Sequence, residues 1–201
     1  MEADWEIEVG GGAPVIEAVW PGFVDLRRSP DAIVEISEAA AFPALAVLLL
    51  ALNEFKSQLW TAKCDLWEPD PNEVPAMALT AAPTAEISGD KPVALACYVA
   101  LLPLEGLVFR HWEQAEALCR EWVKQLDPFA LPGCRVELVV RQAIAGELEG
   151  FGVTAYLGAA GPDRNAAAQA LAAALNAFLE GIPSIPAAPA ASKLQWKGVG
   201  E

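Results

Sequence analysis

The ten residues from Val93 to Leu102 form an unbroken apolar run, closed by Pro92 and Pro103. Ten residues are too few to cross a bilayer as a helix, and a proline at each end stops a helix from extending through it. A run of this length fits a strand covered on both faces, so the chain is expected to build a sheet around it. The other long apolar stretch, Ala39 to Leu52, is interrupted by Pro43 and is likewise too short to span a membrane.

Other segments carry clear periods. Trp5 to Val9 alternates apolar and acidic residues, the pattern of a half-buried strand, and Gly10-Gly11-Gly12 ends it. Val15 to Trp20 resumes an extended pattern, Pro21-Gly22 turns the chain, and Phe23 to Leu26 reads as a short strand. Ser29-Pro30 predicts a helix to about Glu38, and Pro43 opens a second one, through Leu45, Leu48, Leu49, Leu52 and Phe55, buried on most of its circumference. Ser57 to Trp67 reads as a strand with Trp60, Ala62, Cys64 and Leu66 on one side and Thr61, Lys63 and Asp65 on the other. Proline-rich 68–92 reads as a long loop with one helical turn near Ala76 to Ala78.

His111 to Leu126 is the clearest helix, with Trp112, Ala115, Leu118, Cys119, Trp122, Val123 and Leu126 at helical spacing. Cys134–Ile144 and Gly150–Ala159 make a hairpin, and Gly161-Pro162-Asp163 opens an alanine-rich helix with a stripe of Leu171, Ala174, Leu175, Phe178 and Leu179. Pro183 to Ala191 reads as a Pro/Ala spacer, and Trp196 beyond it suggests an added edge strand, on this molecule or a neighbour.

The fold class expected from this order is α+β: an antiparallel sheet with helices mainly on one face. Residues 92–180 follow the split βαβ (ferredoxin-like) order but lack its last strand, which 194–199 would supply. The expected organisation is one α+β domain over 1–182 followed by a tail, 183–201. An alternative divides the domain into two degenerate halves, about 1–90 and 91–182.

The chain carries 27 acidic and 13 basic side chains, a formal charge of −14, and residues 1–90 hold 16 of the acids but only 4 of the bases. Such acidity argues against nucleic-acid and membrane partners, which call for basic surfaces. The amino-terminal residues are acidic where a signal peptide needs positive charge, and the four cysteines lack metal-binding spacing. A cytoplasmic protein with free thiols is expected. No cofactor or metal motif is found: the triple glycine lacks the Lys-Ser/Thr of a phosphate loop, and a single histidine rules out two-histidine zinc sites within one chain.

Two functional expectations follow. The first is a non-enzymatic domain that self-associates as a dimer or docks to another protein, suggested by the abundant Trp and Leu. The second is a small-molecule binding domain or enzyme with a Trp-lined, acid-rimmed pocket walled by Trp60 and Trp67 and capped by the 68–92 loop, since aromatic walls and acids suit cations. The candidate ligand-binding residues are Trp60, Lys63, Asp65, Trp67, His111 and Arg141. Lys63, Asp65, Glu137 and Arg141 are expected to meet as ion pairs if their strands are neighbours. His111, at a helix start, is expected to be neutral there.

Overall fold

The computed structural model describes residues 1–70, 72–74 and 92–182. Six strands among these residues form one sheet: β1 (Glu2–Glu8), β2 (Ile16–Ala18), β3 (Leu59–Trp67), β4 (Val93–Pro103), β5 (Cys134–Ala145) and β6 (Leu148–Gly161). Their spatial order is β1-β5-β6-β4-β3, with β2 continuing along β5 where β1 leaves it. β1 and β2 run parallel to β5, and every other pairing is antiparallel.

Among the described residues four helices accompany the sheet: α1 (Ser37–Ala41), α2 (Pro43–Leu52), α3 (Trp112–Leu126) and α4 (Arg164–Gly181). All four pack into one core against Leu95, Cys97, Val99 and Leu101 of β4 and the inward residues of β5 and β6. The fold is therefore α+β with its helices on one face. The opposite face is covered at one end by Ile16, Ala18, Trp60 and Phe23 over Leu102 and Ala143, and at the other by Val74 against Ala94 and Ala160. Tyr98, Thr154, Tyr156 and Arg141 lie between these patches, by strand register.

β4 and β5 flank β6 in the sheet and are joined in the chain through α3. The proposed last strand, 194–199, lies outside the described residues, as do the helical turn near Ala76 and the 183–191 spacer. The place beside β4 is held by β3 instead. The strands of the first ninety residues stand on opposite edges of the sheet, with β1 and β2 at one and β3 at the other.

Several local expectations are corrected. Phe23 to Leu26 is not a strand, because Asp25 folds the chain into a turn by accepting the Arg27 N–H at 3.1 Å. The predicted helix over 30–38 is a 3-10 turn at Pro30–Glu35, after which extended Ile36 breaks the path before α1; β-branched Ile33, Val34 and Ile36 weaken a helix there. α2 stops at Leu52, and Phe55 is fully exposed rather than part of its buried face. The β5–β6 hairpin turns in two residues, Gly146 and Glu147, with Gly146 at φ +65°.

Candidate functional site

Asn53 caps α2 and fixes β3. Its side-chain amide donates to the Leu49 carbonyl and to Thr61 Oγ1, both at 2.7 Å, and its oxygen accepts the Thr61 N–H at 3.2 Å. Directly after Thr61 the β3–β4 register shifts by one residue. A bulge of this kind moves every later side chain to the other face. Trp60 thus shares a face with Lys63, Asp65 and Trp67, while Thr61 goes with Cys64 and Leu66. The strand faces expected from simple alternation are wrong beyond this point.

The Ala62 carbonyl at the bulge accepts the Trp20 indole N–H at 3.2 Å. Trp20 reaches it from a strained turn: Val19 sits at φ +61°, a conformation that costs a β-branched residue of order 1–3 kcal/mol. Gly22, at φ +97°, lies where an added Cβ would stand 3.0 Å from the Trp20 ring. The chain thereby holds this indole across the end of the sheet.

Between Trp20, the outer edge of β3 and the start of α1 lies a cavity of about 390 Å³. Its lining includes Glu35, Glu38 and Asp65, and Lys63 is the sole basic side chain among its described lining residues. The Lys63 ammonium lies 5.7 Å from the centre of the Trp20 ring. No described residue forms an ion pair with Glu35, Glu38 or Asp65. Two lining groups register the resulting negative potential. Burial, then Glu38 and Asp65, push the Cys64 thiol up to about 12; burial, then Asp65, raise the Tyr98 phenol above its usual range.

No protein-family model, curated protein or solved structure matches this chain. Its function has to be read from the site alone.

The candidate residues fall into three places. Lys63 and Asp65 line the cavity. Trp67 and Arg141 belong to a neighbouring row on the helix-free face: Trp67 lies 6.3 Å from Tyr98, Tyr98 lies 5.7 Å from Tyr156, and Tyr156 Oη accepts Arg141 Nη1 at 2.6 Å. Trp60 and His111 line neither. Trp60 is buried to 1% exposure and donates its indole N–H to the Pro103 carbonyl at 3.1 Å, so it supports the site from below and does not wall it. His111 is the exposed cap of α3, its backbone N–H donating to Gln114 at 3.2 Å.

The expected meeting of Lys63 and Asp65 with Glu137 and Arg141 does not occur, because β4 and β6 separate β3 from β5. Arg141 pairs with Glu8 on β1 instead, through Nε at 3.0 Å. The cap expected from the 68–92 loop lies largely outside the described residues. Glu35, Glu38 and Tyr98 were not among the sequence candidates. Trp20 closes the extended stretch from Val15, but nothing local marks it as the cavity wall.

Proposed function

We propose that the chain is a docking domain that receives a positively charged side chain of an extended protein segment in the cavity beside β3. One observation carries this reading: Glu35, Glu38 and Asp65, without ion-pair partners among the described residues, surround a cavity that opens along the outer edge of a strand. An edge strand offers its outward N–H and C=O groups to an added strand, and pockets beside it select the added side chains. Trp20 and Tyr98 supply aromatic surface for a guanidinium or ammonium group.

We read β3 with 92–181 as a ferredoxin-like arrangement whose fourth strand arrives from the amino-terminal side. This connectivity leaves β3 with one neighbour among the described strands. A partner other than a second copy fits the site better. Pairing two β3 edges would bring the carboxylates of both copies together, and facing like charges destabilise such a pairing. The free thiols suit a cytoplasmic setting.

Calorimetric titration with acetyl-Val-Arg-Val-Arg-Val-amide tests the reading. The peptide should bind the wild-type chain and bind E35Q/E38Q/D65N at least about tenfold more weakly, with a steep loss in high salt. The same peptide with glutamate in place of arginine should not bind. Equal affinity for free arginine amide would transfer the site to a small cationic molecule, and an unchanged affinity in the triple variant would overturn the cavity assignment.

A further inference from the structure

The opposite edge of the sheet presents a second and differently patterned surface. β1 pairs only with β5 among the described strands. Glu2, Asp4, Glu6 and Glu8 alternate along it with Ala3, Trp5 and Ile7. Glu2 and Glu8 are engaged by Arg135 and Arg141, whereas Asp4 and Glu6 form no ion pair with a described residue. The Trp5 N–H donates to the carboxylate of its own neighbour, Asp4, at 2.7 Å. The residues after the spacer, Lys193-Leu194-Gln195-Trp196-Lys197, carry the complementary alternation: basic or polar at 193, 195 and 197, apolar at 194 and 196.

The tether begins close to this edge. Gly181, at the end of α4, lies against Leu126 and the Gln125 backbone. Phe129, just beyond on the same stretch, accepts the Met1 ammonium at 2.6 Å, immediately before β1. Residues 183–192 number ten, a span of about 30 Å at roughly 3.1 Å per residue in an extended Pro-rich form. β1 itself is about 20 Å long, by the usual strand rise. Lys193 can therefore reach either end of it.

We infer that Lys193–Lys197 of the same chain adds to the outer edge of β1, with Lys193, Gln195 and Lys197 on the face of Asp4 and Glu6, a lysine opposite one carboxylate and Gln195 opposite the other, and with Leu194 and Trp196 beside Ala3, Trp5 and Ile7. An intramolecular occupant of this kind shields an edge that would otherwise pair with other molecules, and its tethering favours it over a free partner.

Amide hydrogen exchange on the full chain, followed by mass spectrometry over residues 1–9, tests the assignment. The wild type should exchange there at least about tenfold more slowly than K193E/K197E and than D4K/E6K, and the four-fold charge swap combining both should restore protection. Equal exchange in the wild type and K193E/K197E overturns the proposal. So does a loss of protection confined to β3, which would seat the segment at the cavity. Protection that rises with protein concentration, alongside a dimer in light scattering, would assign the occupant to a second copy and overturn the intramolecular form.

Discussion

Raising the pH from 8 to 11 is expected to destabilise this protein steeply. Cys64, Cys97 and Cys119 have thiols pushed from an ordinary value near 9 up to about 12, in each case chiefly by burial. In the unfolded chain these thiols ionise near 9; in the folded chain they stay protonated to about 12. Between those values the unfolded state has released protons that the folded state still holds, so stability falls as pH rises. Each ionising thiol contributes a slope of about 1.4 kcal/mol per pH unit, and the three together remove about 4 kcal/mol by pH 10 and about 8 kcal/mol by pH 11. A loss of that size is about half or more of the stability of an ordinary domain, about 5–15 kcal/mol. Urea titrations at pH 8, 9, 10 and 11 should show the midpoint falling steeply above 9. Cys97→Ala should flatten the decline by about one third, since one of three equivalent slopes is removed. A midpoint unchanged up to pH 11 would mean that these thiols are not buried as described.

The second large effect separates support from recognition among the tryptophans. Trp60→Ala is expected to cost about 3–5 kcal/mol, as for other large buried aromatics. It removes a side chain of 1% exposure, an edge-to-face contact with Phe23 at 5.8 Å, a guanidinium contact from Arg27 at 4.6 Å, and the partner of the Pro103 carbonyl. Trp67 is half-buried and touches Tyr98 and Tyr156 at ring distances above 6 Å; its alanine variant should lose about 1 kcal/mol, in line with a partly exposed aromatic pair. Chemical denaturation of the two variants gives the comparison directly. Equal and small losses would place Trp60 at a surface.

What the sequence could and could not convey follows from the range of the interactions involved. The α3 stripe and the α4 cap are local patterns: Ala115, Cys119, Trp122 and Leu126 fall on one buried face, and Asp163 accepts the Ala166 N–H at 2.8 Å. The hydrophobic period states them outright. The bulge after Thr61 has no such signal, since Thr61-Ala62-Lys63 contains no glycine or proline, and it is held by Asn53 eight residues earlier. One unmarked residue was enough to reverse the predicted face of Lys63 and Asp65 relative to Trp60. The cavity was less legible still. It joins Trp20, Glu35, Glu38 and Asp65, residues brought together by strand order rather than by spacing. The acidic excess of the amino-terminal half was visible as charge, while the gathering of three of its carboxylates at one cavity was not.

A basic extended segment seated along β3 would protect the outward amides of that strand. Hydrogen exchange over residues 59–67, with and without acetyl-Val-Arg-Val-Arg-Val-amide, tests it most directly. Slowing of at least about tenfold is expected at the outward-pointing amides among residues 63–67, including Leu66, whose N–H otherwise donates to the Asp65 carboxylate at 2.8 Å, with β1 amides unchanged, because an added strand takes up the outward groups of that edge. Peptide binding that leaves 63–67 exchanging at the free rate, or that slows exchange elsewhere on the sheet, would contradict it.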